Sequence, residues 1–202
     1  MSGFRVHPRV DMPKQADVPE SIANARRSFL RRAAVGCAGL LLAPLGAAYA
    51  RPSGTRSLSF VHTHTGEALS VGYCSDGVYQ PTCLAQVNRF LRDFRTGELH
   101  AIDPRLLDIL YHLQVLADRD VTYEVISGYR SPQTNAELRE ISTGVAEHSL
   151  HMDGRAIDVR MTDFSTRRLH EYALSLQSGG VGYYAGSDFV HLDTGRVRTW
   201  TG

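Results

Sequence analysis

The sequence predicts an α+β fold: a single domain over residues 51–202 with helices packed on a small antiparallel sheet. Three observations lead there. Ser57–His62, Ala68–Tyr73 and Arg155–Met161 alternate apolar and polar residues, the period of a half-buried strand. Leu84, Val87, Leu91 and Phe94, then Leu106, Leu107, Leu110 and Leu113, recur at helical spacing. The length of 202 residues and a 43% hydrophobic content suffice for one core and leave no room for two large ones.

Taken in order, the first two alternating runs flank Gly66-Glu67 and read as a β-hairpin. Thr82–Arg95 follows as an amphipathic helix. Asp103-Pro104 supplies a cap and a first-turn proline for a second helix. Val121–Ile126 is a β-branched strand, and Ser131-Pro132 starts a short helix to about Ile141. Ser142–Leu150 has no clean period and reads as a loop. After the Arg155–Met161 strand, Ser165 caps a helix carrying Leu169, Tyr172, Ala173 and Leu176, which Gly179-Gly180 ends. Val181–Tyr184 and Phe189–Asp193 are the last strands. No repeat is visible.

Charge divides the chain. Residues 1–50 hold seven basic and three acidic side chains, whereas the remainder holds 15 and 18. The net charge of +1 argues against a nucleic-acid partner held by a general basic field. The first 50 residues read instead as a leader. Arg26-Arg27-Ser28-Phe29-Leu30 places paired arginines before an uncharged, mildly apolar stretch, Ala33–Ala50. That stretch ends in Ala48-Tyr49-Ala50, a small-x-small cleavage pattern. This resembles a twin-arginine export signal behind a polar extension containing Pro8, Pro13 and Pro19. The expected location is therefore the periplasm, with no stable membrane insertion after cleavage. Only four residues separate Cys37 from Arg32, too few for the apolar stretch a lipidation site needs upstream. Cys74 and Cys83 are the cysteines left after cleavage, and in an oxidising compartment they are expected to form a disulfide closing a short loop.

Three side chains suggest chemistry. His151 ends the loop, Asp158 sits in the Arg155–Met161 strand, and His191 sits in Phe189–Asp193. Alternation puts Asp158 opposite an apolar face, where an ionised carboxylate needs a partner. Two imidazoles and a carboxylate suit a divalent zinc with an open position for water. Core histidines hydrogen-bonded to acids are the alternative.

The ordered motifs Ser127-Gly128-Tyr129-Arg130-Ser131 with Asn135, Ser149-x-His151-x-x-Gly154-x-Ala156-x-Asp158, and Phe189-Val190-His191 resemble the zinc peptidases of bacterial cell walls. That superfamily includes D-Ala-D-Ala carboxypeptidases and dipeptidases, lysostaphin-like enzymes and the hedgehog domain. The similarity is greatest to its periplasmic murein endopeptidase branch and runs from His64-Thr65-Gly66-Glu67 to Trp200. The resemblance implies that His151, Asp158 and His191 bind Zn2+ and that the chain cuts peptide cross-links of peptidoglycan. It implies Asp188 as general base, three residues before the last histidine, with Asp193 as competitor or as an orienting acceptor. Arg130 and Ser149 are implied to contact the peptide stem, and Tyr183, Tyr184 and Trp200 to line the groove or pack in the core. His148 adjoins the first ligand, but the motif spacing selects His151. A carboxypeptidase acting on stem peptides and a non-catalytic zinc-containing wall-binding domain are the rival readings.

Overall fold

The computed structural model describes residues 54–202 except position 143. The expected leader, its cleavage point and Cys37 lie outside the described residues. Among the described residues, no helix is long and apolar enough to cross a membrane.

The chain runs β1 (Thr55–His62), β2 (Ala68–Ser75), β3 (Val78–Tyr79), α1 (Pro81–Phe90), α2 (Pro104–Leu116), β4 (Thr122–Ser127) and α3 (Pro132–Ile141). It continues through β5 (Ala156–Met161), α4 (Thr166–Leu176), β6 (Gly180–Tyr184), β7 (Phe189–Asp193) and β8 (Arg198–Thr201). The class is α+β, as the sequence implies, but the sheet is neither small nor wholly antiparallel. It has eight strands in the order β3-β2-β1-β4-β5-β7-β6-β8. β1 pairs β4 in parallel, and β6 pairs β8 in parallel. The first parallel pair arises because the chain between β2 and β4 passes through α1 and α2 and returns beside β1, a crossover of the kind parallel pairing requires.

Helix starts follow their caps. The Asp103 carboxylate accepts from Arg105 N at 3.0 Å, Ser131 Oγ from Thr134 N at 3.2 Å, and Ser165 Oγ from Arg168 N at 3.4 Å. Helix α1 stops at Phe90, short of the expected Arg95. Beyond it Asp93 accepts from Arg95 N at 2.9 Å, and Gly97 N donates to the Asp93 carbonyl at 2.7 Å. This local turn competes with the helix for the same backbone groups. Helix α4 ends at Gln177 in the left-handed region, before the two glycines. Helices α2 and α4 pack against one another and the sheet, and α1 packs against β2. Their core joins Leu106, Leu110, Leu113 and Leu169 to Phe60, Tyr123, Val159 and Val190. Cys74 and Cys83 are free thiols, the first buried in β2 and the second half-buried on α1. No bridge joins them in this structure, where Cys74 lies in the core and Cys83 packs against it.

Candidate metal centre and cleft

Strand register assembles the site. Asp158 on β5 stands opposite Ser127 of β4 on one side and His191 of β7 on the other. Residues opposite one another on neighbouring strands share a face. Asp158 and His191 therefore project together from the face that Val159 and Val190 do not occupy. A register shift lies between Val125 and Ser127, where β4 leaves the ladder for the Gly128-Tyr129-Arg130 turn.

His151 arrives from a different element. It lies in a single 3-10 turn, Leu150–Asp153, whose N-cap Ser149 accepts from His151 N at 3.4 Å. Gly154 ends this turn at φ +63°, and a Cβ there would collide with the Ala101 carbonyl oxygen. The motif glycine thus allows the loop to seat against residues 100–103 and brings His151 over the sheet.

All three side chains are buried. His151 Nε2 lies 3.2 Å from His191 Nδ1 and 3.3 Å from Asp158 Oδ1, and His191 Nδ1 lies 2.8 Å from the same oxygen. A tetrahedral zinc at about 2.0–2.1 Å spaces its ligands roughly 3.3 Å apart, so the triangle has the right size. The outer ring nitrogens decide its chemistry. His151 Nδ1 lies 2.7 Å from the Gly128 carbonyl oxygen, and His191 Nε2 lies 3.1 Å from Asp193 Oδ2. Both partners only accept, so both outer nitrogens carry the proton. The inner nitrogens then present lone pairs towards each other and towards a carboxylate oxygen. Three converging acceptors call for a cation, and the fit to a divalent metal follows.

The electrostatics of the three groups pull in different directions. Burial pushes His151 down, as expected for an imidazole kept neutral. Burial opposes ionisation of Asp158, but the charges and hydrogen bonds of His151 and His191 outweigh it and hold the carboxyl well below the usual range. Burial would also lower His191, yet its bonds to Asp158 and Asp193 win and raise it.

Arg130 backs the centre. Its Nη2 donates to Asp158 Oδ2 at 2.8 Å, and its Nε donates to Ser127 Oγ at 3.0 Å. Oδ2 is thereby occupied and Oδ1 is left for the triangle. A cleft of about 480 Å³ opens over the three ligands, with Arg130 and Ser149 in its lining. One wall is aromatic: Tyr184 stacks on Phe189 at 4.5 Å, and Trp200 Nε1 donates to Tyr184 Oη at 3.0 Å.

Neither of the two candidate acids lines the cleft. Asp188 is not among the cleft-lining residues: its Oδ1 accepts from Thr166 Oγ1 at 2.6 Å, and its Oδ2 lies 3.7 Å from Arg160 Nη1. Asp188 precedes β7, in left-handed backbone at the end of the Ala185–Ser187 turn, and that backbone turns its carboxylate towards Thr166. Asp193 does share the face of His191, but it is fully buried and chelated by Arg198 at 3.0 and 2.7 Å. It orients His191. Sequence reasoning missed Arg198, Ser127 and the Gly128 carbonyl. Arg198 lies inside the matched C-terminal motif, so its position was visible although its role was not.

Comparison with known proteins decides the family. A family profile described as peptidoglycan L,D-endopeptidase MepK matches residues 50–200. The chain belongs to this family. It is 40% identical to the peptidoglycan L,D-endopeptidase MepK of Escherichia coli (strain K12) over 176 residues, 87% of this chain and 96% of the relative. It is 43% identical over 148 residues to the probable peptidoglycan L,D-endopeptidase MepK of Haemophilus influenzae, covering 73% of this chain and 80% of that one. The motifs carrying His151, Asp158 and His191 lie within the span matched by the MepK profile.

Proposed function

We propose that this chain is an exported, zinc-dependent MepK-type endopeptidase that hydrolyses L,D peptide cross-links of peptidoglycan. The observation that carries the reading is the inward-facing acceptor triangle His151–Asp158–His191 at the floor of a cleft, in a chain belonging to a peptidase family. The bond type is taken from the relatives' name.

Zinc held by His151 Nε2, Asp158 Oδ1 and His191 Nδ1 would acidify a water and polarise a peptide carbonyl. The chain's own residues do the rest. Asp193 keeps His191 in the tautomer that leaves Nδ1 free, and the Gly128 carbonyl does the same for His151. Arg130, with two of its nitrogens tied down, still offers Nη1 donors to a substrate carboxylate or a developing oxyanion. Ser149 sets the turn that aims His151, and its place in the cleft lining puts it within the substrate's path. The aromatic wall of Tyr184, Phe189 and Trp200 gives a stem peptide an apolar surface to lie on.

The test is incubation of the purified protein with muropeptide dimers, with and without a chelator, followed by mass analysis. Monomers formed only without chelator are expected. Intact dimers in the presence of zinc overturn the reading, and loss of a single terminal residue would assign a carboxypeptidase instead. Export is checked separately: replacing Arg26 and Arg27 together by lysine should strand the precursor in the cytoplasm, and an unaltered periplasmic yield would remove the twin-arginine route.

A further inference from the structure

Amide hydrolysis needs a group that takes a proton from water and returns it to the departing amine. Apart from the three ligands, the titratable side chains lining the cleft among the described residues are Arg130, His148, Tyr184 and Arg198. The guanidinium groups have no acceptor atom and are paired to Asp158 and Asp193. Tyr184 spends its oxygen on the Trp200 indole N–H. Asp188 turns to Thr166, and both Asp193 oxygens are occupied by Gly180 N, Gly195 N, His191 and Arg198. His148 is left, exposed at the cleft wall.

Its placement is built. Buried Asn135 donates from Nδ2 to the carbonyls of Ala146 at 3.1 Å and Glu147 at 3.3 Å, the two residues before His148. The residue after it, Ser149, caps the turn that carries His151. The imidazole is thus bracketed between two fixed points, three residues from a metal ligand, on the same wall of the same cleft.

We propose that His148 is the proton-transferring catalytic residue of this cleft and that Asn135 is its positioning residue; this rests on the endopeptidase reading above. As the water oxygen bonds to the peptide carbonyl carbon, one water proton passes to the free ring nitrogen of His148. As the C–N bond breaks, that proton passes to the amine nitrogen. The products are a carboxylic acid and an amine, and His148 ends neutral.

The experiment compares the zinc-loaded full chain with His148→Gln, Asn135→Ala, Tyr184→Phe and the His148→Gln/Asn135→Ala double variant on muropeptide dimers, with zinc affinity measured by calorimetry. His148→Gln is expected to lower kcat by about 10²–10⁴-fold. KM and zinc affinity should stay within about threefold, and added imidazole should restore part of the rate. Asn135→Ala should lower kcat about tenfold at unchanged KM, and the double variant should be no slower than His148→Gln, because the two changes act through one group. A wild type that leaves dimers intact sinks the endopeptidase reading and this proposal together. A wild type that cuts while His148→Gln keeps kcat within about threefold overturns the proposal alone. So does a kcat loss that tracks a loss of zinc, or a loss carried by Tyr184→Phe instead.

Discussion

Two buried carboxylates, Asp93 and Asp158, are 1% and 4% exposed, and their surroundings differ in one respect. Asp93 meets donors. Ser131 N and Ser131 Oγ approach one oxygen at 2.9 and 2.7 Å, and Arg95 N approaches the other at 2.9 Å. Asp158 has one fixed donor in Arg130 and otherwise faces the inner nitrogens of two imidazoles. The first site is complete as folded and ties the turn after β4 to the turn after α1. The second gathers two ring nitrogens and a carboxylate oxygen in a group that could hold a metal ion. Burial does not separate structural acids from functional ones; the balance of donors and acceptors around them does.

Three experiments press on that contrast. The largest effect belongs to Asp158→Asn, which removes the anion while keeping the shape. Zinc affinity should fall by well over 10²-fold, since loss of even an outer partner costs about 10–100-fold. Calorimetric binding near the wild-type value would show that the triangle does not hold the metal.

Asp93→Asn should instead leave zinc binding per folded molecule intact and cost stability, on the order of 2 kcal/mol for hydrogen bonds to a charged group. Burial works against its ionisation, yet the bonds from hydroxyl and backbone N–H groups hold its carboxyl down at about 2. Its folded value lies below its unfolded one, so its contribution is whole above about pH 4 and fades as pH falls towards 2. Denaturant unfolding across that window should show wild type and variant converging; a constant gap would mean the asparagine fails for steric reasons.

The smallest effect is expected of Asp188→Asn, whose carboxylate faces Thr166 and Arg160. Turnover of muropeptide dimers should change by less than about threefold, within the range of ordinary surface substitutions. A loss of 10²-fold would return the acid to the catalytic cleft.

Much of this contrast was legible in the sequence, for identifiable reasons. The convergence of His151, Asp158 and His191 was legible because motif spacing and strand alternation both survive folding: Asp158 and His191 each keep the face their periodicity gives them. The hairpin and the capped helices were legible because their signals are local. The parallel pairing of β1 with β4 was not, since it joins segments some 60 residues apart. The two-residue strand β3 and the edge strand β8 are too short to show a period. The overlong expectation for α1 failed where the Asp93 side chain took a backbone N–H that the helix needed. Position 188 was chosen by kinship, and the left-handed backbone that turns its carboxylate to Thr166 has no signature in the spacing. Arg198 was unreadable because its partner, Asp193, is fixed by packing that no spacing reveals.

Strands β5 and β7, which carry Asp158 and His191, each have a neighbour on both sides, whereas β3 and β8 lie at the rims. Side chains anchored mid-sheet cannot drift without disturbing several ladders at once. The rim strand β8 supplies Trp200 to the cleft, and the segment before His151 supplies His148 and Ser149. Changes at the rim strand therefore have room to reshape the aromatic wall of the cleft while Asp158 and His191 keep their places in the sheet.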